Sequence, residues 1–356
     1  MKKINTSPSA GTQGTDKSST TMTSQERRSS GALALIFALR MLGLFLVLPV
    51  FMLEARKYPG GDDPALVGLA MGMYGLTQAF FQLPLGMASD RFGRKRVIVL
   101  GLAVFAAGSL VAALADSVMG LLVGRALQGA GAVSAAVTAL LADQTRDAVR
   151  TKAMALVGIS IGLMFAIALV LAPLLTAHIG LSGLFTLTFA LALAGVALIV
   201  WVVPPETRHH ADLPQGRLAD VWRHADLRRL NLGVFALHTI QMAMWVAVPA
   251  LLVQAGLPKD LHWHVYLPAL VLSVVAMGGL FSMERRGRLR AALLAAIALV
   301  LLVQVALGLM ASTGQPPALA WLAVVMFIFF CGFNALEATQ PSLVSRMAPP
   351  ALRGAA

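Results

Sequence analysis

Ten runs of about twenty mostly apolar residues set the terms for this chain. They fall at 31–53, 64–87, 97–115, 118–142, 153–176, 183–203, 230–253, 265–281, 291–311 and 318–338. A helix of about 20 residues spans the roughly 30 Å hydrocarbon core of a bilayer, with every backbone polar group bonded internally. No stretch shows the two-residue alternation of a membrane β-strand. The expected fold is therefore all-α and polytopic, with the lipid bilayer as its principal partner.

Composition agrees. Of the 356 residues, 58% are hydrophobic and 12% charged, with a mean hydropathy of +0.78. A soluble domain carries about 25% charged residues. The net charge of +12 suggests nucleic acid at first sight. The basic residues, however, sit in short loops between apolar runs, a topology signal that argues against a nucleic-acid partner. Of 28 Lys and Arg, 23 fall in the tail, in the even-numbered connections or after residue 338. Only Arg56, Lys57 and Lys259 occupy the opposite loops, and Arg40 and Arg125 lie inside spans. This asymmetry predicts a cytoplasmic N-terminus and a plasma (inner) membrane location.

Residues 1–30 are rich in Ser and Thr and lack an apolar signal core, so they read as a disordered cytoplasmic tail. The longest connection, 204–229, reads as a linker between a six-span half at 31–203 and a four-span half at 230–356. The single cysteine, Cys331, lies in an apolar run and excludes an intrachain disulfide or a cysteine-based metal cluster. Paired carboxylates, metal ligands and a nucleophile beside a base are all lacking from the loops, so the chain does not read as an enzyme. Nor does the sequence specify a cofactor, a metal or an oligomer.

The halves echo one another. Asp90-Arg91-Phe92-Gly93-Arg94 follows the second span, and Glu284-Arg285-Arg286-Gly287-Arg288 follows the eighth, 194 residues on. Internal repeats of this kind mark secondary transporters. The same offset carries the start of the fifth span to residue 347, so a repeat-based expectation is ten of twelve helices, with the eleventh and twelfth lacking.

The motifs resemble those of one family. Gly86, Asp90, Arg91, Gly93, Arg94 and Lys95 stand as in the signature loop of the major facilitator superfamily, G-x-x-x-D-R-x-G-R-K. Arg125, Gln128, Gly129 and Gly131 resemble its fourth-helix motif, R-x-x-Q-G-x-G. Leu42-Gly43 and Pro49-Val50 resemble the first-helix motif of its drug:proton antiporters, and helices one to four are similar to the YajR-type branch. Ala172-Pro173 is followed by Leu174-Leu175, where the antiporters' fifth-helix motif has Gly-Pro and then Gly-Gly. The resemblance implies a 6+6 helix arrangement and proton-coupled export of a small hydrophobic or amphipathic compound by alternating access. The proton gradient would be the energy source. It also implies that the signature loop is a gating latch, pairing with an acid at the end of the fourth helix, a place that Asp143 occupies. The other reading is a truncated, non-transporting membrane protein, either a gene fragment or a partner subunit.

Candidate pathway residues follow from the cost of polar groups in lipid. A charge at mid-membrane costs roughly 2.5–3.5 kcal/mol even on lenient scales and faces a cavity or a partner. Arg40 lies about 14 Å from the cytoplasmic face and Arg125 about 11 Å from the outer face, at 1.5 Å per helical residue. Arg125 and Gln128, on the resemblance, belong to the proton step. Tyr74, Gln78 and Gln82 recur every fourth residue and form one polar stripe. Titratable candidates are His238, in the seventh span, and Glu337, towards the end of the tenth. Gly158, Gly162 and Ala166 form a small-xxx-small ridge, expected to mediate close helix packing.

Overall fold

The computed structural model describes residues 21–131, 133–206, 223–312 and 315–347. All the regular structure in these residues is helical. Nine of the helical stretches are long and apolar enough to cross a membrane. One, spanning Asp147–Val202, has 56 residues, about 84 Å at helical rise and far more than a bilayer's thickness. It breaks at Gly180, whose φ of 65° lies in the left-handed region that glycine adopts without strain. The two arms run in opposite directions along one neighbour. Ser160 Oγ donates to Ala34 O, Thr188 Oγ1 to Gly43 O, and Arg28 Nε to Val202 O. The fifth and sixth expected spans are these two arms.

In chain order the helices are α1 (Ser24–Phe45), a short α2 (Phe51–Ala55), α3 (Pro64–Phe92), α4 (Arg94–Ala113), α5 (Val118–Ala130) and α6 (Ser134–Asp143). They continue with α7 (Asp147–Ala197, ending in a π-helical turn Leu198–Val202), α8 (Ala225–Gln254), α9 (Trp263–Arg285), α10 (Leu289–Ser312) and α11 (Leu319–Met347). Their starts follow local chemistry. Asp63 caps α3 by accepting from Ala65 N at 2.8 Å, with Pro64 in the first turn. Ser117 caps α5 through Gly120 N.

Two boundaries differ from expectation. Residues 24–30, expected in the disordered tail, are helical. Thr23 and Glu26 close a capping box, Glu26 N donating to Thr23 Oγ1 and Thr23 N to Glu26 Oε2. The seventh span starts at Ala225 and takes in the last residues of the expected linker. Residues 1–20 and 207–222, the repeat's Glu284 and Arg285 side chains, and residues 348–356 lie outside the described residues.

In the first half, α1 packs along both arms of α7, and α5 is clasped by α3 and α4. In the second half, α11 packs against α8, α9 and α10. A seam joins the halves at the end away from the basic loops. There Val47, Phe51 and Leu169 pack with Trp245, Val248, Leu252 and Tyr266 in one apolar core.

Candidate functional site

The first half holds a buried polar cluster. Arg40 Nη2 donates to the Tyr74 hydroxyl at 3.0 Å and Nη1 to Ser134 Oγ at 2.8 Å. Arg125 lies over the opposite side of this contact, its Cζ 4.7 Å from the Tyr74 ring centroid. Its Nη1 donates to Gln128 Oε1 at 3.0 Å, and Gln128 Nε2 donates to Ser109 Oγ at 2.8 Å. Arg40, Tyr74, Arg125 and Gln128 are 2%, 4%, 1% and 1% exposed. Among the described residues, neither guanidinium has a carboxylate within ion-pair distance. Tyr74 thus serves both cations, as an oxygen acceptor for one and an aromatic face for the other.

Glycines make this cluster possible. A Cβ on Gly108 would collide with the backbone of Gln128, and one on Gly129 with the backbone of Tyr74. Only glycine lets α3, α4 and α5 approach closely enough for the side chains of Arg125 and Gln128 to interlock. Of the polar stripe on α3, Tyr74 joins the cluster. Gln78 and Gln82 are half-buried, with their Oε1 atoms unpartnered among the described residues.

His238 and Glu337 meet in the second half, their Nε2 and Oε2 atoms 3.4 Å apart. Their side chains are 46% and 48% exposed. Helical register says what they face. Seven residues separate His238 from Trp245 on α8, and Glu337 from Phe330 on α11, which keeps each pair on one stripe about 10 Å apart. Trp245 and Phe330 both pack edge-to-face on Phe165 of α7, with centroids at 6.1 and 6.3 Å. This aromatic trio joins α7 of the first half to α8 and α11 of the second. One heptad below Phe165 on α7 stands Gly158, exposed, with nothing among the described residues within 4 Å of where its Cβ would lie. Gly162 is equally open. The expected packing ridge at Gly158 and Gly162 is therefore corrected. Gly158 and Gly162 leave bare helix surface two turns and one turn from Phe165, whereas Ala166 of the same ridge packs against the seam core. His238 and Glu337 lie two helical turns from the aromatic trio, with Phe333 packed edge-on to the imidazole at 6.2 Å. The candidate pathway residues thus form two groups: one buried in the first half, the other half-exposed in the second.

At the basic face, Arg94 forms ion pairs with Asp90 at 2.6 Å and with Asp143 on α6. The predicted partners of the signature loop are therefore adjacent. Arg91 points away, over the Phe92 ring. Gly86 packs against Ala135. Gly93 has a φ of +99°, and a Cβ there would lie 2.7 Å from Glu206 Oε1. Glu206 Oε2 accepts from Arg94 N at 2.8 Å, capping α4 with a carboxylate from the start of the linker. Sequence reasoning does not find this cap. It also misses the contact of Glu26 with Arg146, N–O 2.8 Å, although Thr23-x-x-Glu26 is a legible capping signal.

Comparison with known proteins fits this geometry. Residues 31–356 match the model of the Major Facilitator Superfamily. The chain belongs to that superfamily. The inner membrane transport protein YajR of Escherichia coli K12 is 43% identical over 94% of this chain and 74% of its own length. The class B tetracycline resistance protein of Escherichia coli is 34% identical over 38% of this chain and 34% of its own. A bacterial homologue of the human lysosomal transporter Spinster, solved inward-facing and occupied, superimposes with a TM-score of 0.70 at 16% identity. It covers 94% of this chain and 77% of that one, which establishes the shared fold. This major facilitator protein is a multi-pass membrane transporter and not an enzyme.

Proposed function

We propose that this transporter exports a small hydrophobic or amphipathic compound by alternating access, driven by proton entry across the inner membrane, with its basic face in the cytoplasm. The observation that carries the reading is the His238–Glu337 pair. An imidazole and a carboxylate 3.4 Å apart and half-exposed within the membrane span are the two side chains assigned here to carry the exchanged proton. The resistance named for the class B tetracycline relative supports export as the direction. The loop asymmetry of 23 basic residues against three supports the orientation.

In this reading the cavity opens to the cytoplasm and is sealed on the outer side by Phe165, Trp245 and Phe330. Substrate enters beside Gly158 and Gly162 while the pair releases its proton to the cytosol. Parting of the aromatic seal then opens the cavity outward, where substrate leaves and the pair reloads. Arg40 and Arg125 act electrostatically. Two fixed cations in the first half repel protons there and confine the exchangeable one to the second half. Arg94, bridging Asp90 and Asp143, ties the start of α4 to the end of α6 and acts as the cytoplasmic latch.

The experiment is tetracycline uptake into everted membrane vesicles, with an imposed pH gradient or as gradient-free exchange. Glu337→Gln is expected to abolish gradient-driven uptake while leaving exchange intact. Gradient-driven uptake at the wild-type rate in that variant would sink the proton role.

A further inference from the structure

The face away from the basic loops carries three basic residues, Arg56, Lys57 and Lys259. Two of them converge on one carboxylate. Glu54, at the end of α2, is 3% exposed. Its Oε2 accepts from Lys57 Nζ at 2.7 Å, one turn along its own segment. Its Oε1 accepts from Lys259 Nζ, which comes from the loop after α8 in the other half. Gly256, with φ of 84°, ends α8 and turns the chain back so that Lys259 reaches across. Around this contact the two halves press together, Phe51 and Met52 sharing one core with Val248 and Leu252.

We propose that Glu54 is a gating residue of the transport cycle, its bond to Lys259 holding the mouth on this face closed. The inference rests on the chain's being a transporter and not on proton coupling.

The two lysines have unequal jobs. Opening this mouth carries Lys259 away with the second half, whereas Lys57 stays beside Glu54. A buried carboxylate stripped of every partner would cost several kcal/mol. Lys57 removes most of that penalty, so the latch can release without stranding a charge. Glu54's hydrogen bond holds the Lys57 ammonium above the ordinary lysine range, which keeps this standby partner charged. The arrangement predicts opposite signs for the two lysines. Losing Lys259 favours opening, and losing Lys57 disfavours it.

Leu252 provides the reporter. It is fully buried on α8, one heptad beyond Trp245 towards this mouth. In a Cys331→Ala, Leu252→Cys background reconstituted in lipid nanodiscs, the rate of modification by a charged methanethiosulfonate reagent reads the opening of the mouth. Glu54→Gln and Lys259→Gln are each expected to raise the rate about tenfold, the effect of one buried ion pair on a two-state equilibrium. Lys57→Gln is expected to label at or below the parent rate. The charge-swapped double variant Glu54→Lys, Lys259→Glu is expected to return the rate to near the parent's, which general loosening of the fold would not do. Parent rates in both Glu54→Gln and Lys259→Gln would overturn the proposal. So would acceleration by Lys57→Gln, or failure of the swap to restore protection.

Discussion

The Nε2 of His238 lies 3.4 Å from Oε2 of Glu337, on two helices whose next heptads carry Trp245 and Phe330 of the aromatic seal. In the proposed export cycle this register ties proton exchange to the aromatic trio, because a change in the charge of the pair acts on the helices that must separate. Infrared difference spectroscopy between the gradient-energised and resting states should therefore show a carboxyl band that Glu337→Gln removes. His238→Ala should shift the frequency of that band without deleting it. A band that persists in Glu337→Gln would assign the proton to another group.

Tyr74 should show a graded cost. Phenylalanine keeps the ring beneath Arg125 but loses the acceptor for Arg40, and leucine loses both. A hydrogen bond to a buried charged group contributes about 1.5–3 kcal/mol, and a desolvated cation–π contact about 2 kcal/mol. Thermal unfolding in detergent should rank the midpoints wild type, Tyr74→Phe, then Tyr74→Leu, with a clear gap at each step. Equal midpoints for the two variants would mean that the ring face does not stabilise Arg125.

Much of this arrangement is legible in the amino-acid sequence, and what is hidden has one cause. Arg40 and Arg125 can be placed at similar depth by counting residues along their spans. That Tyr74 links them cannot be read that way, because residue spacing along one helix does not say which helix lies beside it. His238 and Glu337 stand out as titratable groups in apolar runs, yet their adjacency depends on how α8 crosses α11. Glu54 does not stand out, because its i+3 lysine looks like loop charge and its decisive partner is 205 residues away. The capping box at Thr23 and Glu26 is local and readable, but the polar composition around it suggests a tail and masks it.

The glycines offer a contrast in which the same substitution has opposite consequences. A Cβ at Gly129 would strike the Tyr74 backbone, and overpacking of this kind costs typically about 1–3 kcal/mol. At Gly158 a side chain meets open space. Gly129→Ala should lower the unfolding midpoint by several degrees. Gly158→Phe should leave it near wild type while blocking transport, since in the proposed cycle the ring would fill the substrate's path. A Gly158→Phe protein as destabilised as Gly129→Ala would restore the packing role for that face of α7.

Glu206 carries the last test, of how the linker is tied to the signature loop. Its carboxylate bonds the free N–H of Arg94 at the start of α4, where the helix dipole favours negative charge. The Lys95 ammonium meanwhile donates to Val203 O at 2.8 Å, fixing the same stretch from the other side. Loss of a capping acceptor costs about 0.5–2 kcal/mol. Glu206→Ala should therefore lower stability by about that amount and speed hydrogen exchange in the first turn of α4. Glu206→Gln, which keeps an acceptor but loses the charge, should fall between that variant and the wild type. Exchange at Arg94 and Lys95 that is unchanged in Glu206→Ala would show that the signature loop holds this helix start without the linker.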